Sequence, residues 1–390
     1  MSKRDSQSSN HLAALDGFRG GLALWVYFGH LSLAVGYVNY FLAIHALAVD
    51  LFMVLSGFLM VYTWKSSHEP TSDFLRASVR FYLARFFRIA PLYYVLLLLC
   101  YVFLPQLNQM HDYALKLIPP PWVQDLTEYD PKSGWVFDSW RWLYLHLSFA
   151  FGVVPGMEAS TPLPDWSLSL EMQFYLIFPL LLLVLGASSW ALLALAIGAA
   201  ILAWFAPGLF GSYLTPGSLT HFGQPSMLAY RLNAFLAGMV LAFWLQQKRS
   251  QAPSRFVNVV AVLAIAICLL PLSKPVILIY LVFAALIFEK IPPLNWLLGR
   301  KPFKILGDIS YSIYLAHLLI VIPGVYWLLQ SSAFIGLSPI AKFACAVSLT
   351  CPVVLVASYV LHKWIEQPGI RLGRYLSKKL SFSQKARPLL

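Results

Sequence analysis

The chain alternates long apolar stretches with short clusters of basic, polar and turn-forming residues. Ten stretches have roughly the 17–25 residues with which a helix crosses about 30 Å of hydrocarbon. They lie near residues 12–36, 40–64, 82–104, 166–186, 188–206, 225–247, 256–272, 274–290, 304–330 and 339–364. The hinges at Gly186 to Ser189 and Leu272 to Lys274 are short, so the helices they join are antiparallel neighbours. Trp142 to Val154 is apolar but too short for a span and reads as re-entrant or interfacial. The stretch from Pro105 to Asp165 reads as one long outward loop. Its Trp122, Trp135 and Trp140 serve either as interface anchors or as a platform on which carbohydrate stacks.

Composition agrees. Hydrophobic residues make up 59% of the 390, and charged residues only 11%, against about 25% in a soluble protein. The fold expected is all-α, a polytopic transmembrane bundle of about ten spans. The net charge of +12 does not indicate nucleic acid, because Lys and Arg sit mostly in short loops between apolar runs. They favour the N-terminus, the even-numbered loops and the C-terminal end. Lys116, Lys132, Arg141, Lys274 and Lys342 fall on the other side, so both termini are expected in the cytoplasm. This gives an N-terminal segment 1–11, a membrane domain 12–365 and a basic tail 366–390. The tail carries Arg371, Arg374, Lys378, Lys379, Lys385 and Arg387, and reads most simply as a topology anchor at anionic lipid. Cys100, Cys268, Cys345 and Cys351 lack metal or disulfide spacing and read as buried thiols. No cleavable signal, internal repeat or metal motif is expected.

Ionisable groups inside hydrocarbon are costly unless paired or hydrated, so each marks a candidate site. Arg19 and His30 are eleven residues apart, which is three helical turns plus about 20°, so they share one face about 16 Å apart. One face of the first helix thus carries a fixed cation near one end and a titratable imidazole deep in the span. Asp50 in the second run either pairs a buried cation or orients a catalytic group. Arg85 and Arg88 share a helix face. Their forks either grip phosphates or simply mark the cytoplasmic edge. Glu171 lies near the outer side of the fourth run, where His30 can approach it. Arg231 is mid-span and needs an acid or water. Asp308, Ser310, Tyr311, Ser312, Tyr314 and His317 follow one another at helical spacing in the ninth run, with His317 alone reading as a core histidine. Glu366 reads as a helix-end pair. These parts suit a transporter or an intramembrane transferase.

The stretches LDGFRGGLALWVYFGH, VDLFMVLSGFLM, RFFRIAPLY, WSLSLEMQFYLIFPLL, RLNAFLAG, LGDISYSIYLAH and WIEQP, in that order, resemble the acyltransferase-3 family of membrane acyltransferases across nearly the whole chain. Two positions depart from the pattern. Met172 stands where a second acid is common, and Ala234 stands where an acid often follows the Arg231 block. No fused esterase-like C-terminal domain of the kind some members carry is expected.

The resemblance implies acyl transfer from cytoplasmic acyl-CoA, chiefly acetyl-CoA, to a hydroxyl of an exported carbohydrate or glycolipid, without a metal. The setting it implies is the bacterial inner membrane. On this reading His30 is the general base, oriented by Glu171 or Asp50. Arg19, Arg85 and Arg88 hold the CoA end, and Trp166, Arg231 and Tyr314 face the acceptor. The rival is a secondary transporter or polysaccharide exporter. It lacks an internal repeat and matched broken helices in the sequence.

Overall fold

The computed structural model describes residues 3–67, 74–119, 135–137, 139–210, 222–250 and 253–382, and every regular element among them is helical. In order these are α1 (Lys3–Ala34), α2 (Tyr40–Ala43), α3 (Leu47–Ser67), α4 (Phe74–Leu117), α5 (Trp140–Leu147), α6 (Trp166–Ala187), α7 (Ser189–Phe210) and α8 (Leu232–Ser250). Next come α9 (Arg255–Leu269), α10 (Lys274–Ile287), α11 (Pro292–Leu298), α12 (Lys301–Asp308), α13 (Ser310–Ala316), α14 (Leu318–Leu328), α15 (Ser332–Ile335), α16 (Pro339–Leu361) and α17 (Gln367–Phe382).

Helix occupies each of the ten apolar runs, yet fewer helices meet the requirements of a span. Among the described residues five are long and apolar enough: Leu47–Trp64 of α3, then α4, α6, α7, and α16 with its continuation to Lys379. Treating the bent pairs α10–α11 (87°) and α13–α14 (50°) as single spans raises this to seven. One of the ten runs falls short for a simple physical reason. α9 has 15 residues, about 22 Å of helix, which is less than the hydrocarbon thickness.

Other boundaries also move. α4 runs through Pro91 and Pro105 to Leu117, so the loop expected from Pro105 begins a dozen residues later. Part of that loop, including Trp122 and Lys132, lies outside the described residues, as do Lys385 and Arg387. Trp142 to Val154 is α5 followed by a 3-10 turn at Ala150–Val153, joined by Phe149 at φ 60°. Neither piece alone is long enough for a span. Cys345 is exposed on α16 and Cys351 is half-buried, so only Cys100 and Cys268 are the buried thiols expected. The tail is not loose. α17 folds back along α4, with Gly369 and Gly373 against Phe87, Pro91 and Leu83.

α1 is the axis of the bundle because it is buried on two sides. Leu22, Trp25 and Val26 enter a large core built mainly from α3, α4 and α6–α10. Ala23, Tyr27 and Leu31 enter a second core with α13, α14 and α16. Glycines let backbones close on it. A side chain on Gly20 would meet Leu306 and Gly307, and one on Gly307 would meet the Asp16 carbonyl. The same device joins α3 to α8, where Gly57 sits against the Phe235 carbonyl and Gly238 against the Val54 carbonyl.

Candidate active site

A cavity of about 370 Å³ opens where α1, α3, α4, α6 and α13 meet. One part of its wall is cationic, with Arg19 from α1 and Arg85 and Arg88 from α4. The close approach of α1 to α12 fixes Arg19. Its Nε donates to Ser310 Oγ (2.8 Å) and one terminal nitrogen donates to the Gly307 carbonyl (2.6 Å), while Asp16 lies 3.5 Å away. Arg85 lies over the rings of Phe81 and Tyr175 and donates to Thr63. Arg88 lies 3.7 Å from Glu366. A π-turn places Glu366 there. Gln367 N–H bonds the His362 carbonyl five residues back, so the carboxylate is buried and also accepts from Ser312 (3.1 Å).

Phe52, Met53, Leu55, Leu59, Met60 and Leu168 form an apolar part of the wall, Asp16, Asp308, Ser56 and Ser310 a polar part, and Tyr311 and Tyr314 complete the lining. Glu171 faces this space, accepting from Ser56 (2.9 Å) and from Tyr175. Tyr314 OH is 2.8 Å from Ser167 Oγ. The sequence thus identified five residues that meet in one cavity: Arg19, Arg85, Arg88, Glu171 and Tyr314.

His30 does not line this cavity. Aromatic rings connect it to the wall, from Phe52 to Tyr314 (5.7 Å between centroids), to His317 (6.5 Å), to His30 (5.0 Å) and to His45 (4.4 Å). The expectation that Glu171 or Asp50 orients His30 is corrected here. Glu171 is held by Ser56 and Tyr175, and Asp50 by Arg231, whereas His30 Nδ1 lies 2.9 Å from His317 Nε2.

The contact fixes protons. His317 Nδ1 lies 2.7 Å from the Tyr314 carbonyl and 3.0 Å from that of Ile313. Carbonyls only accept, so Nδ1 carries the hydrogen, and Nε2 of the neutral ring is a lone pair. His30 Nδ1 must then donate to it. That leaves His30 Nε2 unprotonated on a half-buried side chain. His45 Nδ1 bonds the Leu42 carbonyl at 2.8 Å in the same way.

Asp50 and Arg231 form a separate ion pair, 2.5 Å between oxygen and Nε, with both largely buried between α3 and the start of α8. Trp166 packs against the main core and does not line the cavity. Sequence reasoning missed His45 and the pairing of His317. Gly29 was the available signal for His45, since a side chain there would overlap the His45 ring. Among the described residues no group of three or more His, Cys, Asp or Glu is placed to hold a metal ion.

The family model described as an acyltransferase domain matches residues 12–359. The chain belongs to the acyltransferase-3 family. Its apolar helices make it an integral membrane protein. It is 24% identical over 354 residues to the peptidoglycan O-acetyltransferase OatA of Listeria monocytogenes, covering 82% of this chain. The chain spans about half (51%) of that relative's length. No solved structure matches.

Proposed function

We propose that the protein is a membrane O-acyltransferase that moves an acyl group, acetyl in the first instance, from acyl-CoA to a hydroxyl of an exported glycan. The single observation that carries this reading is the hydrogen-bond chain from the Tyr314 carbonyl through His317 to His30, which leaves one basic nitrogen ready. The family and the peptidoglycan-acetylating relative support the acceptor class.

In this reading His30 Nε2 takes the proton of the acceptor hydroxyl as its oxygen attacks the thioester carbonyl carbon. The C–O bond forms, the C–S bond breaks, and the thiolate leaves with the proton returned from the imidazolium. Rising charge on His30 passes partly to His317 through the shared hydrogen. Arg19, Arg85 and Arg88 hold the phosphate-bearing end of the donor. The apolar wall takes its thin arm, and Tyr314 stands between arm and imidazole. Glu171 orders the cavity wall, the Asp50–Arg231 pair locks α3 to α8, and Trp166 lies toward the acceptor side. The positive-inside bias supports placing the arginines, both termini and a ten-crossing arrangement with respect to the cytoplasm of a bacterial inner membrane.

One observation favours the rival transporter, the sharply bent pairs α10–α11 and α13–α14. Both lie in the last third of the chain, however, and do not occupy matching positions in two halves. The test is purified protein in lipid nanodiscs with labelled acetyl-CoA and a panel of glycan acceptors, read by product mass. A parallel flux assay is run in proteoliposomes. Acylated glycan supports the enzyme. Acceptor flux without acetyl-CoA consumption supports the transporter and overturns this reading.

A further inference from the structure

A second cavity of about 370 Å³ lies against the first and shares Arg19, Arg88 and Asp308 with it. Its other wall comes from the π-turn and α17, with His362, Gln367, Arg371 and Arg374. Four guanidinium groups therefore converge on one space, and Asp308 is the only carboxylate among its described lining residues. Arg371 and Arg374 are three apart, so they share a face of α17. The other face of that helix is seated on α4 through Gly369 and Gly373. Residues 367–382 lie beyond the family match, which ends at 359.

Asp16 lies 3.5 Å from Arg19 and Glu366 lies 3.7 Å from Arg88, and Arg371 donates to the Gln367 amide oxygen, yet guanidinium groups still outnumber the carboxylates around this space. Planar guanidinium forks match phosphate oxygens bidentately. The neighbouring cavity narrows the choice of anion. An anionic lipid would leave its chains in the bilayer and the inner cavity unused. A ligand with several phosphates at one end and a slender uncharged arm fills both spaces.

We propose that Arg371 and Arg374 of α17, with Arg88 and Arg19, form a phosphate-binding mouth that takes the nucleotide phosphates of the acyl donor. This rests on the acyl-CoA reading above. It changes the tail from a topology anchor into part of the donor site. Arg371 and Arg374 are exposed, so their replacement does not disturb packing.

The test measures binding of CoA, 3′-dephospho-CoA and pantetheine to the full chain in nanodiscs of zwitterionic lipid, and again with anionic lipid added. The variants are R371Q/R374Q and the charge-preserving R371K/R374K. Wild type binds in the order CoA, then dephospho-CoA, then pantetheine. R371Q/R374Q loses CoA affinity by about tenfold or more, the scale of one or two charge-assisted contacts, and binds pantetheine as wild type does. R371K/R374K recovers part of the loss. CoA affinity equal to wild type in R371Q/R374Q overturns the proposal. So does a loss seen only with anionic lipid present, which assigns the arginines to lipid headgroups. If wild type binds no CoA in either disc, the donor reading itself falls, an outcome distinct from equal binding by wild type and variant.

Discussion

Nδ1 of His30 lies 2.9 Å from Nε2 of His317, and the backbone carbonyl of Tyr314 fixes which of the two carries the hydrogen. The arrangement follows the logic of a base oriented by a third group, with a neutral imidazole where a carboxylate often stands. It makes a spectroscopic prediction. In nitrogen NMR of histidine-labelled protein, His30 is the Nδ1–H tautomer, and H317A shifts its Nδ1 resonance. A His30 that is Nε2–H in wild type contradicts the geometry.

The Asp50–Arg231 pair is a stability element. Breaking a buried pair by removing one partner costs about 3–5 kcal/mol, because the other charge is left uncompensated. R231A therefore lowers the unfolding temperature in detergent sharply, whereas D50N/R231Q lowers it less. Equal melting of R231A and wild type would falsify the assignment.

Gly57 and Gly238 each face a backbone carbonyl of the opposite helix. Alanine at Gly238 forces α3 and α8 apart, at a cost of about 1–3 kcal/mol. Gly198 on α7 has open space around it. G198A is neutral or stabilising by up to about 1 kcal/mol, since alanine is the better helix former. Thermal melts of the two variants side by side check the contrast.

Much of this was legible in the sequence, and the reasons differ residue by residue. Arg19, Arg85, Arg88 and Glu171 stood out because charge in an apolar run is expensive, and they meet in one cavity. The partner of His30 was not legible. His317 is one polar residue among many in its run, and it sits at the break between α13 and α14, which the sequence does not mark. The family resemblance suggested a carboxylate for His30, but Asp50 is held by Arg231 and Glu171 by Ser56 and Tyr175. The donor-side role of α17 was hidden because exposed basic residues after a last span look the same whether they anchor lipid or line a cavity. The crossing count was not settled by the sequence, because an apolar run gives the length of a stretch and not where its helix breaks.

Glu366 touches two residues of the donor mouth, Arg88 at 3.7 Å and His362 at 2.9 Å. E366Q weakens the contact with Arg88 and raises the KM for acyl-CoA about 3- to 10-fold, the worth of one hydrogen bond. Steady-state kinetics over a range of donor concentrations separates this from a loss of kcat. A fall in kcat at unchanged KM would place Glu366 elsewhere in the mechanism.

The most direct test of the account is acyl transfer at saturating acyl-CoA by wild type, H30A, H317A and H317Q, each verified as inserted and folded. The account predicts that H30A loses about 10²- to 10⁴-fold in kcat, the range a general base supplies. H317A falls less far. H317Q recovers part of that loss, because its amide oxygen can accept the His30 hydrogen. Full activity in folded H30A would contradict the central claim that the nitrogen prepared by His317 is the base.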